Sequence, residues 1–236
     1  MAVHPGAARS RSVKQRGLRQ VTLSLAVVAA LLFLPAGSLR YWQGWLFLSL
    51  MAGFWIFFFI DLLKHDPKLV ERRLQSEESA PEQRLFQKLM LVILLPAFVL
   101  SGFDFRFGWS KSWLHGVPVW LVLVGQAMAV ASYWLVFSVM KTNSFAASTI
   151  RVEDEQPVIS GGPYAIVRHP MYFGMALMVL GAPLALGSYV ALPVFALFIP
   201  LLIFRLTHEE KFLRHALPGY ADYCERIRFR LIPFLW

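Results

Sequence analysis

The sequence predicts an all-α fold: a polytopic membrane helical bundle of about five or six spans, the last two forming a tight helical hairpin. Three observations lead there. Apolar residues fill 57% of the 236 positions and charged residues only 16%, where a soluble domain carries about 45–50% and about 25%. The apolar residues gather in long runs, and the basic residues, which give a net charge of +9, fall in blocks between those runs. Blocks of that kind suit a membrane surface better than a nucleic-acid groove, and no groove-reading motif accompanies them.

Residues 1–20 carry Arg9, Arg11, Lys14, Arg16 and Arg19 without an acid, and Val21 to Leu34 is almost wholly apolar. A basic start, a short apolar run and Ala36-Gly37-Ser38 are also the parts of a signal peptide. An uncleaved first span fits better, because further spans follow. Trp42 to Leu63 is the second span, entered through Tyr41, Trp42 and Trp45 as an interfacial aromatic belt, with Asp61 at its far edge. In the polar segment 64–88, Leu69, Val70 and Leu74 space out as a short amphipathic surface helix. Its Glu71, Arg72 and Arg73 read as a solvated face. Leu89 to Phe103 is a short third run containing Pro96, and Val117 to Met140 a longer fourth, with Trp109 and Trp113 between them. Met171 to Leu186 and Tyr189 to Phe204 are separated only by Gly187 and Ser188, which makes the hairpin. At about 1.5 Å per residue, runs of about sixteen are marginal for a core of about 30 Å.

With the N-terminus inside, only Arg40, Arg106 and Lys111 of the 23 basic residues lie outside. The positive-inside rule favours that orientation and puts both termini, 64–88 and 141–170 on the cytoplasmic face. The chain then divides into a basic N-terminus (1–20), four spans (21–140) and a C-terminal region (141–236) that holds the polar stretches of interest. The lone Cys224 excludes an intrachain disulfide and a cysteine metal cluster. No dinucleotide, phosphate-loop, zinc-protease or serine-hydrolase motif occurs.

Two polar stretches stand at the edges of apolar runs. In GGPYAIVRHPMYFG (Gly161 to Gly174), Pro163 and Pro170 fix φ and push Gly162 and His169 toward extended backbone, so His169 is held at a helix mouth. In RLTHEE (Arg205 to Glu210), Arg205 and Glu209 share a helical face. As an ordinary ion pair, Arg before Glu is the weaker order, worth about 0.2–0.5 kcal/mol, and charge at the exit of an apolar run is costly outside a polar cavity. The pair therefore points to a site. Glu210 reads equally as a water-facing residue. Tyr164 and Tyr172 read as interfacial anchors or as pocket walls, and Asn143 as a loop residue or helix stop. His169 has no second His or Cys at ligand spacing, and His208 and His215 stand apart, so no metal is expected.

These stretches carry a resemblance. NSFAASTIRVEDEQPVISGGPYAIVRHPMYFG, the apolar hairpin, and RLTHEEKFLRHALPGYADYCERIRFRLIP resemble the isoprenylcysteine carboxyl methyltransferase family and the related phospholipid methyltransferases, over about two fifths of the chain. Asp66-Pro67 to Leu74 is similar to the DPxLxxRR segment of prokaryotic members. The resemblance implies an integral-membrane enzyme that binds S-adenosylmethionine without a Rossmann sheet, in a cytoplasmic-side pocket closed by a C-terminal helix. It puts cofactor contacts on Gln156, Pro157, Val158, Ile159, Tyr164, His169, Pro170, Met171, Tyr172 and Glu209, with Arg205 meeting a substrate carboxylate and Arg205 and His169 as the catalytic pair. It further implies a lipophilic, prenylated or lipid substrate, neither nucleic acid nor metal, and the inner membrane of a prokaryote.

The residue types suit such a ligand. A sulfonium, an ammonium, a carboxylate, ribose hydroxyls and an adenine call for an acid, for donors and for aromatic faces. Two other classes stay open. An NADPH-dependent sterol or steroid reductase shares the RHPxYxG turn, but is expected to pair Arg with Asp beside a basic phosphate-reading segment, where this chain has RLTHEEKFL. A transporter or assembly protein is expected to break its helices or place ionisable groups mid-membrane.

Overall fold

The computed structural model describes residues 5–66, 70, 81–145 and 156–236. Its helices are α1 (Pro5–Ala36), α2 (Trp42–His65), α3 (Pro81–Phe107), the short α4 (Trp109–Leu114), α5 (Val119–Thr142), α6 (Pro170–Ala185), α7 (Leu192–Ala196), α8 (Phe198–Ala216) and α9 (Tyr220–Arg226), with a 3-10 turn at Gly162–Ala165. Among the described residues there is no strand. Five stretches are long and apolar enough to cross a membrane: Val13–Ala36, Trp42–His65, Arg84–Phe107, Val119–Thr142 and Leu192–Ala216. Pro170–Ala185 is shorter. Its sixteen residues reach about 24 Å, so polar groups at its ends meet the border of the bilayer.

Several elements depart from the sequence reading. The third span is not short: α3 runs through Pro96 and takes in residues 81–88, the end of the segment expected to lie on the surface. Glu71, Arg72, Arg73 and most of the DPxLxxRR segment fall outside the described residues, although Val70 is buried against Leu62 and Met140. Tyr41 is no belt residue. It is fully buried, stacks on Phe105 at 4.5 Å and donates to the Leu186 carbonyl at 2.7 Å. Trp42 and Trp45 beside it remain exposed.

The hairpin is also looser than two linking residues would make it. After Gly187 (φ +71°) the chain turns through Tyr189–Ala191 before α7 begins. A break at Leu197 then separates α7 from α8. Pro200 explains that break, since it has no N–H for the Ala196 carbonyl and its ring crowds that carbonyl. Beyond it α8 continues without interruption to Ala216, so Arg205, Glu209 and Glu210 belong to the second arm itself.

The hairpin is fixed against the rest by close backbone approach. A Cβ at Gly125 of α5 would stand 2.3 Å from the Ala185 nitrogen and 2.7 Å from the Gly181 carbonyl oxygen of α6. Ser132 donates to the Gly174 carbonyl at 2.7 Å further along the same seam. Small residues that let backbones touch are the usual means of holding helices together in lipid. At the Gly187 end, buried Asp104 accepts from the Ser110 N–H and Oγ and from Ser188 Oγ, tying the hairpin turn to α3 and α4. Polar groups thus gather at both ends of the bundle. Gly125→Val is expected to lower stability by about 1–3 kcal/mol, read as a fall in the unfolding midpoint in detergent, because no rotamer change can move backbone atoms aside.

Candidate active site

A cavity of about 310 Å³ opens at the Pro170 end of the hairpin, at the small end of the range for ligand sites, about 300–1,000 Å³. Most of its wall comes from the end of α5, the segment from Gln156 into α6, the face of α8, and α9. α3 adds Phe86, Gln87 and Met90.

The turn that starts the wall depends on Gly162. Its φ is +57° rather than the extended value expected before proline, and a Cβ there would lie 2.7 Å from Thr142 Oγ1. Only glycine fits that approach comfortably. Tyr164 follows, its hydroxyl accepting from the Asn143 amide at 3.0 Å and its carbonyl accepting from Tyr223 Oη at 2.8 Å. Asn143 is therefore a pocket residue that orients Tyr164, and more than a helix stop.

His169 caps α6 and Pro170 begins it, as the sequence implied. What holds the turn in place was not foreseen. The Arg168 and His169 N–H groups donate to the Phe229 and Arg230 carbonyls, both at 2.9 Å. The Arg168 guanidinium donates to the Ile227 and Arg228 carbonyls at 2.8 and 2.9 Å and spans both oxygens of Glu210 at 3.1 and 3.2 Å. Glu210, 4% exposed, does not face water. It also receives Arg214 at 3.1 Å and Arg230 at 3.2 Å, and His169 Nε2 stands 3.5 Å away. One buried carboxylate thus joins α8, the RHP turn and the C-terminal segment, the fork of each arginine supplying the directional donors.

Glu209 points to the cavity instead. Tyr172 Oη donates to its carboxylate and accepts from Arg205 Nε at 3.1 Å. The arginine and the acid, expected to share a helix face, are bridged by a phenol from the other arm of the hairpin. The Arg205 guanidinium lies over the Phe86 ring, 4.5 Å from its centroid, a cation–π contact. Every residue named from the sequence for cofactor or substrate, Gln156 to Ile159, Tyr164, His169 to Tyr172, Arg205 and Glu209, lines this cavity.

Sequence reasoning missed Arg168, Glu210, Asn143, Phe86 and the tyrosines of α9. Arg168 stood in the motif without a role, and its paired proline and histidine were the available signal. Burial, with Cys224 and Glu210 nearby, pushes the Tyr220 phenol far above its usual range. It remains neutral, and its buried hydroxyl has no hydrogen-bond partner among the described residues. His169 Nε2 makes no hydrogen bond either, but it faces Glu210 Oε2 at 3.5 Å. The Tyr220 hydroxyl is thus a donor or acceptor left over in a wall that also carries an acid, which fits a ligand rich in nitrogen and oxygen.

The bundle and its sunken, mixed-polarity cavity define a helical membrane protein with a candidate ligand site at one end of its spans. Residues 120–218 match the phospholipid methyltransferase family, and that segment carries Tyr164, His169, Tyr172, Arg205 and Glu209. The cobalt-zinc-cadmium resistance protein CzcN of Cupriavidus metallidurans is 30% identical over 138 residues, 55% of this chain and 56% of that protein. The matched region is thus about half the length of that curated relative. A eukaryotic intramembrane Ras methyltransferase, isoprenylcysteine carboxyl methyltransferase, has the same fold, with a TM-score of 0.58 at 19% identity over 89% of this chain and 74% of that one. The chain is thus similar to the phospholipid methyltransferase family over residues 120–218 and shares the helical fold of isoprenylcysteine carboxyl methyltransferase.

Proposed function

We propose that this protein is an S-adenosylmethionine-dependent methyltransferase that acts on the carboxylate of an isoprenylcysteine-like, lipophilic acceptor at the membrane–cytosol interface. One observation carries the reading: Tyr172 joins an acid, Glu209, and an arginine, Arg205, inside one cavity that α3 lines with Phe86 and Met90 as well as Gln87. An acid and an arginine so arranged suit a cationic donor and an anionic acceptor held side by side.

The bound cofactor would supply an electrophilic methyl group on a sulfonium. Glu209 would hold its cationic end, and Gln156 to Ile159, Tyr164, Pro170 and Met171 would form the walls. His169 would donate to it. Arg205 would orient the acceptor carboxylate, already a nucleophile at neutral pH, toward that methyl group. No proton moves, so no general base is required. Alignment is the protein's main task, and a well-oriented pair gains about 7–11 kcal/mol. The charges of donor and acceptor cancel as they react, so the apolar wall of Phe86, Met90 and Met175 favours the step by keeping water out. The lipophilic acceptor would enter sideways from the bilayer, and the cofactor from the cytoplasm, with both termini on that side of a prokaryotic inner membrane. Residues 141–236 would then be the catalytic region, standing on the four earlier spans.

Calorimetric titration of the detergent-purified protein with S-adenosylhomocysteine, alongside NADPH, tests this. Saturable binding of the first alone is expected. Binding of NADPH alone would overturn the proposal in favour of a reductase. With cofactor binding established, methyl transfer to prenylcysteine against phosphatidylethanolamine decides between a carboxylate and an amine acceptor.

A further inference from the structure

The C-terminal segment has two faces. Leu231 and Trp236 belong to the same apolar cluster as Leu202 and Leu206 of α8, so one face is seated on the membrane-spanning part of the fold. The other face is apolar and uncovered. Phe234 is 91% exposed, Leu235 76% and Ile232 38%. Phe234 has φ +65°, a conformation that a bulky residue rarely adopts. The turn that enforces it is closed at both ends: the Leu231 and Ile232 N–H groups donate to the Trp236 carbonyl at 2.8 and 3.0 Å, and the Trp236 N–H donates back to Ile232 at 3.1 Å. A strained, doubly closed turn thus presents two large apolar side chains outward.

The side-chain charges within the hook itself carry one sign. Arg226 and Arg228 are exposed, and Arg230 lies over the Trp236 ring at 5.5 Å. From residue 226 to 236 there is no acid. Aromatic and aliphatic residues at the tip with arginines behind them are the composition of a segment that enters the interfacial layer of an anionic leaflet, each cation gaining from the surface potential.

We propose that residues 226–236 form a lipid-docking hook, with Phe234 and Leu235 inserted among acyl chains and Arg226 and Arg228 on anionic headgroups. The segment is also the one that the Arg168 and His169 N–H groups grip through Phe229 and Arg230. Lipid docking therefore braces the turn that forms the cavity wall. This holds whatever reaction the cavity performs.

The test places an environment-sensitive nitrobenzoxadiazole probe at Leu235→Cys. Buried Cys224 should leave the wild type unlabelled. The labelled protein is reconstituted in phosphatidylcholine vesicles with or without about a third phosphatidylglycerol. In the anionic vesicles we expect blue-shifted emission, at least twofold quenching by doxyl-labelled lipid and protection from iodide, with each effect weakened in the neutral vesicles. Arg226→Gln with Arg228→Gln, neither residue lining the cavity, should reduce the anionic vesicles to the neutral result. Iodide quenching without doxyl quenching in both vesicles would overturn the proposal. So would equal insertion in both, or a probe whose shift tracks protein concentration and marks a second copy as the occupant.

Discussion

Replacing Glu210 with alanine is expected to lower stability by about 3–5 kcal/mol, the cost of leaving a buried charge without its partner. Its side chain and that of Arg168 are 5% and 6% exposed, so water cannot take over when the carboxylate is removed. Arg168 would keep its bonds to the Ile227 and Arg228 carbonyls, but its charge would have no counterion. Arg214 and Arg230 lose the same acceptor. They are half exposed and can turn to solvent, so most of the loss belongs to Arg168. Glu210→Gln keeps the shape and one acceptor and should recover part of it. The measurement is the thermal unfolding midpoint in detergent, together with tryptic cleavage after Arg226, Arg228 and Arg230. A fall of about 10 °C and faster cleavage are expected for the alanine variant. An unchanged midpoint would show that the carboxylate is not what closes the C-terminal segment on the site.

That role was hidden in the sequence for a definite reason. Glu209 and Glu210 are neighbours on one helix, about 100° apart, and nothing in RLTHEE says which turns inward. Here both turn inward, in different directions: half-buried Glu209 to the cavity and buried Glu210 to a partner 42 residues away. The spans were legible because the bilayer demands apolar length, and the RHP turn because Pro163 and Pro170 restrict its backbone. Tertiary pairing left no such mark. Phe86 lies in a stretch whose charge suggested a surface, yet it supports Arg205, 119 positions later. Tyr41 has the composition of a belt residue, and only the Leu186 carbonyl across the bundle explains its burial. The break before α8 was readable in principle from Pro200, because the lost hydrogen bond is local.

Glu209 and Arg205 should separate binding from turnover, even though Tyr172 couples them. Glu209→Ala removes the acid that faces the cavity. If that acid holds the cationic end of the cofactor, the loss of a partly buried charge partner costs about 2–5 kcal/mol, and S-adenosylhomocysteine affinity should fall at least 30-fold, to below detection in a calorimeter. Arg205→Ala leaves that acid in place, along with the Tyr172 hydroxyl that donates to it. Cofactor affinity should then stay within about fivefold, while turnover drops on the order of a hundredfold, the usual cost of misaligning a reacting group. Arg205→Lys should not restore it, since a lysine reproduces neither the planar stack on Phe86 nor the directed Nε donor to Tyr172. Tyr172→Phe tests the bridge. With the phenol gone, acid and arginine can close on each other directly, so both affinity and turnover should suffer, each less than in the corresponding single loss. Retained cofactor affinity in Glu209→Ala would remove the acid from the binding site. Equal losses of affinity and turnover in Arg205→Ala would make the arginine part of the cofactor site, and the acceptor carboxylate would need another partner.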